Sequence, residues 1–295
     1  MRERVLITGV GGPAGRSASV YFRGRGYPVI GTDMRKVEDV EVEVFRTVPP
    51  ARDPSYPAAL LGLIGELTPG LFIPTVTEEL GVVAGLKGEI EGAGCRVFIS
   101  APGAVEVAND KFRTAVFMEE RGVAVPRTFE GALPAERVLA ELGLPLLAKP
   151  VFSRGGRGVV VYRTPEEVRA EQRQDVMFQE FVPGPEFDVN LFISGAGRVL
   201  AAVALEKTAL KEGITGNAVG VRRVHREDAV ELAQRACRSL GLTGPQDVDI
   251  RLREDGTPVL LEINARLGGN VLHAQEILDS LLSSWKKEEG FDACN

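Results

Sequence analysis

Residues 247–266 read DVDIRLREDGTPVLLEINAR, and this stretch sets the architecture of the second half of the chain. DVDIRL and PVLLEI are strand-like runs joined by the turn residues Glu254-Asp255-Gly256. Side chains alternate along a strand, so Asp247 and Asp249 share one face, as do Glu262 and Asn264. Glu262 interrupts an otherwise apolar run at the edge of a buried sheet, where an unpaired carboxylate is costly. A hard cation removes that cost, and Mg²⁺ takes one or two carboxylates together with substrate phosphates. Pairing with Arg251 or Arg266 would remove it too. Arg266 shares the face of Asn264 if the strand continues, where it would stabilise charge on a transferring phosphoryl group.

Working outward from this hairpin, LPLLAKP, GVVVY, DVMFQEF, FDVNLFI and RVLAAVALE also read as strands, separated mostly by turns. Helical patterns interrupt them at Pro165–Gln172 and Glu227–Leu240. Hairpins in this number predict an antiparallel α+β second half. The first hundred residues differ. Strands at Arg4–Thr8, Pro28–Gly31, Leu71–Pro74 and Arg96–Ile99 alternate with helices, one running to about Arg25 and one across Glu78–Glu91. That alternation predicts a parallel, doubly wound α/β sheet. Pro102–Gly103 marks a break between domains. A helix across Lys111–Arg121, ended by Gly122, and a loop around Pro126 follow it.

Two further segments of the second half carry phosphate-binding character. Lys149 ends a strand and is followed by Ser153-Arg154-Gly155-Gly156-Arg157-Gly158. A lysine beside a glycine loop can set one positive charge and several backbone N–H groups around phosphates, and the loop can close as a lid. An ordinary hairpin turn has the same composition. Gln179–Gly184 (QEFVPG) ends another strand and turns, with Glu186 and Asp188 beyond it. Such a turn offers backbone groups to an adenine edge, and an acid to ribose hydroxyls.

At the N-terminus, TGVGGPAG (Thr8–Gly15) lies between a strand and a helix, with Asp33 after the second strand. This context suits a dinucleotide pyrophosphate and ribose. A nicotinamide reductase of the short-chain type also needs Tyr-x-x-x-Lys, which occurs nowhere in the chain. The alternatives are a tight turn without a ligand and a pocket for a carboxylate or phosphate. The last is favoured here.

Composition narrows the class. The chain has 295 residues, 44% hydrophobic and 26% charged, enough for two domains with sizeable cores. A formal net charge of −6 argues against a nucleic-acid binder that neutralises phosphates. No apolar run of about 18 residues predicts a membrane span, and MRERVLITGV is unlike a signal peptide. Cys95, Cys237 and Cys294 are scattered, which speaks against a disulfide framework or zinc site and for a reducing cytoplasm. The two histidines leave little scope for histidine-based metal chemistry. His225 reads as a solvated residue of a basic turn, and Asp110, Glu227 and Asp228 as charges at helix N-termini.

Taken in order, Asn109-Asp110-Lys111, Lys149-Pro150 with its glycine loop, QEFVPG-x-E, D-x-D and E-I-N-A-R resemble the ATP-grasp superfamily, and most of all its carbamoyl-phosphate-synthetase-like members. The resemblance covers about residues 1–275. It implies a pre-ATP-grasp, Rossmann-like domain over 1–102, a small lid subdomain with linker over 103–185, and a C-terminal ATP-grasp subdomain over 186–295. It further implies that Lys111 and Lys149 contact ATP phosphates under the loop bearing Ser153, Gly155, Gly156 and Gly158. Glu180, Phe181 and Val182 would line the adenine pocket, and Glu186 would bind ribose. Asp249, Glu262 and Asn264 would hold Mg²⁺ (or Mn²⁺), and Arg266, with Lys149 and Asn264, would steady the reacting groups. Thr215-Gly216-Asn217-Ala218 resembles the segment facing the reaction centre. The chain is too short for the two halves of a carbamoyl-phosphate synthetase. Lys286–Glu289 is expected to be a solvated tail, and the closing helices short.

The activity implied is a carboxylate–amine ligase. A carboxylate attacks the γ-phosphate of ATP, and an amine then displaces phosphate from the acyl phosphate. The partners expected are small-molecule carboxylate and amine substrates, with no nucleic acid or membrane, and a homodimer is the family-level expectation. A nicotinamide reductase and a non-catalytic nucleotide-binding module are the rival readings.

Overall fold

The computed structural model describes residues 2–153, 155–171, 173, 175–211, 216 and 218–292. Thr215, Asn217 and Cys294 therefore lie outside the described residues. The N-terminal unit is the expected parallel sheet. It contains β1 (Val5–Ile7), α1 (Pro13–Gly24), β2 (Val29–Asp33), β3 (Val44–Thr47), α2 (Tyr56–Leu67), β4 (Leu71–Ile73), α3 (Leu80–Gly85), α4 (Lys87–Gly92) and β5 (Arg96–Val97). The strand order is β3-β2-β1-β4-β5, all parallel. Val5, Leu6 and Ile7 are fully buried, as a strand covered on both faces requires. Proline opens both α1 and α2, where its missing N–H costs nothing.

A linker of α5 (Pro102–Asn109) and α6 (Lys111–Glu119) leads to a four-stranded antiparallel sheet, order β6-β9-β7-β8. Its elements in chain order are β6 (Thr128–Glu130), α7 (Ala135–Leu142), β7 (Leu146–Pro150), β8 (Val160–Tyr162), α8 (Pro165–Arg169) and β9 (Val176–Glu180). Val138, Leu142, Leu146, Ala148, Val168 and Phe178 give this unit a small core of its own.

The remainder is a five-stranded antiparallel sheet, order β12-β11-β10-β13-β14. It is built from β10 (Glu186–Ile193), β11 (Val199–Leu210), β12 (Ala218–Val224), α9 (Glu227–Ser239), β13 (Gly244–Leu252), β14 (Pro258–Asn264) and α10 (Gln275–Asp292). The two faces differ in character. Val189, Leu191 and Ile193 of β10 share a core with Ala229, Leu232 and Ala236 of α9. On the opposite face Glu186, Asp188 and Asn190 precede Phe192, which packs with Val203, Leu205 and the apolar side of α10. Along β10 one face is thus apolar, and the other is apolar at one end and polar at the other.

Several elements depart from the sequence expectation. The helix expected over Glu78–Glu91 is a 3₁₀ turn (Thr77–Glu79) and two short helices. Gly81, Gly85 and Gly88 weaken a continuous helix there, and Glu79 is drawn into a buried network. The helix α5, which begins at Pro102–Gly103, was not expected from the sequence. The Lys286–Glu289 run belongs to α10 and is no tail: Ile277, Leu278, Leu281 and Trp285 recur at helical spacing and are at most 2% exposed. Among the described residues, no helix is long and apolar enough to cross a membrane. Cys95 and Cys237 are free, and burial pushes both thiols up to about 12.

Close packing explains one glycine of the N-terminal turn directly. A Cβ on Gly15 would stand 2.3 Å from the Gly9 carbonyl oxygen. Gly15→Ala is expected to destabilise the protein by about 1–3 kcal/mol through this overlap, read as a lower urea midpoint at unchanged slope.

Candidate active site

Strand register arranges the polar end of the large sheet. Asp249 on β13 lies between Asp188 on β10 and Glu262 on β14, each a direct cross-strand partner. Asp247 likewise lies between Asn190 and Asn264. Residues directly opposite on antiparallel strands point to the same side, so Asp247, Asp249, Glu262 and Asn264 share one face, joined by Asp188 and Asn190. An irregularity between Asp249 and Ile250 shifts the rest of the β13–β14 pairing.

Cations from four other places converge on these acids. Lys207 Nζ donates to Glu186 Oε1 at 2.7 Å and to Asp249 Oδ1 at 2.6 Å, and Arg251 Nε donates to Glu186 Oε2 at 2.7 Å. Lys111, in the first turn of α6, reaches Glu262 at 3.3 Å and donates to the Ser153 carbonyl at 2.5 Å. Asp110 caps that helix by accepting from the Arg113 N–H. Lys149, at the end of β7, donates to Gln179 Oε1 at 2.7 Å. Arg266 lies past the end of β14 yet still faces the cluster, reaching Asp247 Oδ2 at 3.4 Å, Asn264 Oδ1 at 3.2 Å and Thr77 Oγ1 at 3.2 Å.

The acids, Asn264 and the five cations line one cavity of about 660 Å³ that runs between the large sheet, the middle unit and the N-terminal unit. On its large-sheet side Glu186, Asp188, Asp247, Asp249 and Glu262 stand with Lys111, Lys149, Lys207, Arg251 and Arg266. Burial raises Lys149's cost of carrying charge and brings its pKa down to about 8, against the pull of Glu262 and Glu186. Burial acts against ionised Glu262, but Lys111, Lys149 and Lys207 hold it down to about 2. Asp249 is pushed upward by burial, and Glu262, Asp247 and Glu186 add to this against Lys207. Its 2.6 Å contact with Lys207 is the geometry of an ion pair, so this corner carries more negative character than one lysine offsets. Asp249, Glu262 and Asn264 offer oxygen donors alone, the set a hard divalent cation takes. The residues present fit such an ion.

The strand end expected to border an adenine lies along the same cavity through Glu180 and Val182. Glu180 pairs with Arg253 and accepts from the Arg127 N–H at 3.0 Å. Ser153, Gly155 and Gly156 line the cavity, while Phe181 and Gly158 do not. Gly156 lies against Gly216, where a Cβ would come within 2.5 Å of backbone. Both carboxylate oxygens of Glu186 are already engaged by Lys207 and Arg251, so a sugar hydroxyl would share them.

The N-terminal glycine turn forms the opposite wall. Its glycines are accounted for by packing. Gly9 has φ +60°, and a Cβ there would meet Val76 at 2.5 Å. Gly11 N–H donates to Asp33 Oδ2 at 3.0 Å, and Ser17 Oγ donates to the Gly269 carbonyl at 2.9 Å. The crevice between β1 and β4, where the strand order reverses and a doubly wound sheet takes its ligand, is filled by Glu79. That carboxylate accepts from Thr8 Oγ1 (2.5 Å), Tyr56 Oη (2.5 Å), and the N–H groups of Thr75 and Val76 (both 3.0 Å). An internal carboxyl group fills the crevice a dinucleotide would need, which weighs against the reductase reading.

The sequence reading missed Lys207, Asn190 and Asn270, and it took Asp188 only for an acid near ribose. The signal was available for two of them. Asp188 and Asn190 stand two apart in the otherwise apolar FDVNLFI, the same anomaly that singled out Glu262. His225 is solvent-exposed beside Glu227, as expected.

Residues 108–270 match the family model of the ATP-grasp domain. The chain is 26% identical over 203 residues to the D-alanine–D-alanine ligase of Pseudomonas entomophila, covering 62% of this chain and 62% of that protein. It is 25% identical over 219 residues to the carbamoyl phosphate synthase large chain of Deinococcus deserti, covering 66% of this chain and 21% of that one. The chain therefore spans less than two thirds of these relatives. The crystal structure of the L-amino acid ligase from Bacillus licheniformis superposes with a TM-score of 0.69 at 20% identity, over 92% of this chain and 69% of that one, a likeness of fold. The chain belongs to the ATP-grasp domain family.

Glu79→Ala is expected to lower stability by about 3 kcal/mol or more, because it leaves Thr8 Oγ1, Tyr56 Oη and the Val76 N–H without their acceptor at once. Differential scanning calorimetry of the two proteins measures it.

Proposed function

We propose, with membership of the ATP-grasp family as premise, that this chain is an ATP-dependent ligase that activates a carboxylate as an acyl phosphate and joins it to an amine. The observation that carries the reading is the convergence, in one cavity, of an oxygen-only acid set with two buried lysines beside a glycine loop.

When bound, Mg-ATP supplies the phosphoryl group. This chain's residues position it. Lys111 and Lys149 stand at the mouth of the glycine loop, where their ammonium groups face phosphate oxygens. Asp249, Glu262 and Asn264 are the residues proposed to hold the metal (Mg²⁺ or Mn²⁺). Arg266 bridges Asn264 and Thr77 of the N-terminal unit, so its guanidinium sits where the activated carboxylate must meet both halves of the site. Ser153, Gly155 and Gly156 would cover the phosphates, with Glu180 and Val182 beside adenine and Glu186 beside ribose. The amine, once it has given up its ammonium proton, would bond through its nitrogen to the carbonyl carbon as the carbon–oxygen bond to phosphate breaks, with phosphate leaving and the remaining extra proton passing to solvent. No enzyme nucleophile is required. Residues 1–102, 103–185 and 186–295 are proposed as the three structural units of this machinery.

Mg-ATP at about 100 times its dissociation constant should stabilise the protein by roughly 2.7 kcal/mol. A melting shift that needs Mg²⁺ and is lost in Glu262→Ala is the expected result. A shift with NADPH and none with Mg-ATP would sink the reading. A second outcome concerns pH. Lys149 is depressed from the usual lysine range to about 8, so its charge falls away as pH rises through that value. ATP affinity should weaken across the same interval in the wild type, and Lys149→Met should bind ATP weakly with that interval's pH dependence gone.

A further inference from the structure

The acid cluster extends beyond the residues assigned to the metal. Oxygens of Asp188, Asp247 and Asp249 lie within 4.8 Å of one another, and only Asp249 belongs to the proposed metal set. Asp188 and Asp247 are 2% and 8% exposed and line the cavity next to Gly269 and Asn270. Two amides fix the polarity of this corner. Asn190 Nδ2 donates to Asp188 Oδ1 at 2.6 Å, and Asn270 Nδ2 donates to Asp188 Oδ2 at 3.0 Å. Turning the Asn190 amide over would set its oxygen against a carboxylate, so the donor assignment is dictated by the partner.

With those donors engaged, what remains accepts only. Asp247 Oδ1 and Asn190 Oδ1 are buried and have no hydrogen-bond partner. Both are packed against Gly268, where a Cβ would lie 2.8 Å from Asn190 Oδ1 and 3.0 Å from Asp247 Oδ1, so a donor reaches them only as the Gly268–Asn270 turn gives way. Buried acceptors of this kind are costly unless a donor arrives. A second divalent ion suits the corner less well, since it would have to draw its ligands in to about 2.0–2.1 Å. An ammonium group carries three donors, no acceptor and one positive charge, and bonds at ordinary hydrogen-bond length.

We propose that the corner formed by Asp188, Asp247, Asn190 and the Gly268–Asn270 turn binds the ammonium group of the amine substrate, a primary amine presented beside Arg266. The identification of that amine as a substrate rests on the ligase reading. The binding itself does not. Arg266 Nη1 lies 3.4 Å from Asp247 Oδ2, so an amine held here is adjacent to the group that steadies the activated carboxylate.

The test uses the full ¹⁵N-labelled chain without nucleotide, titrated with methylammonium chloride and, separately, with potassium chloride at matched ionic strength. Saturable shifts of the Gly268 and Gly269 amides and of the Asn190 and Asn270 side-chain amides are expected with methylammonium alone. Asp188→Asn and Asp247→Asn should each raise the apparent Kd by about ten-fold, the loss of a charge-assisted hydrogen bond. Absence of saturable shifts in the wild type overturns the proposal, whatever the variants do. So does equal affinity in variants that melt as the wild type does, or displacement of methylammonium by equimolar MgCl₂, which would mark a metal site. Because no ATP is present, these results stand apart from a failure of Mg-ATP binding.

Discussion

The structure depends on keeping charge compensated on the buried face of one antiparallel sheet. Five carboxylates stand on β10, β13 and β14, where isolated ions would cost several kcal/mol each. None of them is isolated. Lys207 and Arg251 bracket Glu186, Lys111 stands over Glu262, and Arg266 closes on Asp247. The cations come from β11, β13, α6 and the turn after β14, so folding the site brings separate parts of the chain into one lattice. A lattice balanced in this way rigidifies its members, and it also leaves a few groups strained in charge. Lys149 is a buried lysine held at about 8, and Asp249 is crowded by other acids. Such groups gain most from a bound polyanion and its cations.

The same lattice ties the units together. Arg266 Nε donates to Thr77 Oγ1 at the carboxyl end of the parallel sheet, and Ser17 of α1 donates to the Gly269 carbonyl just beyond. Farther out, Tyr21 Oη and Arg25 both donate to Asp279 of α10 at 2.6 Å. The N-terminal glycine turn therefore serves as a packing surface for the loop that carries Arg266. Its own acid, Glu79, holds the β1–β4 crevice closed and fixes the segment from Thr75 to Thr77. A dinucleotide fold has here become a wall of another cavity.

Much of this was readable from spacing. Glu262 in LLEIN, the paired acids of DVD and the lysine before a glycine loop are anomalies of residue type against a clear strand pattern, and strand period alone put them on shared faces. The parallel N-terminal sheet and the antiparallel remainder followed from how apolar runs were separated. Helices α2, α5, α7 and α10 escaped. In α5 the Pro102–Gly103 pair read as a break, and in α10 charged residues after Trp285 hid an apolar stripe that only becomes visible once it has a sheet to pack on.

The sequence by itself determined the identities: which strands carry acids in apolar company, which loops are glycine-rich, and which class of phosphate chemistry those residues suit. Only the tertiary structure decided who compensates whom. Register between β10 and β13 set Asp188 opposite Asp249 and Asn190 opposite Asp247. Chain reversal brought Lys207 within 2.6 Å of an acid 42 residues away. Period and composition are local properties, whereas cross-strand register and the angle at which helices deliver a cation depend on packing across the whole chain. The partners of the acids, and the acceptors left over for a ligand, therefore appear only in the folded protein.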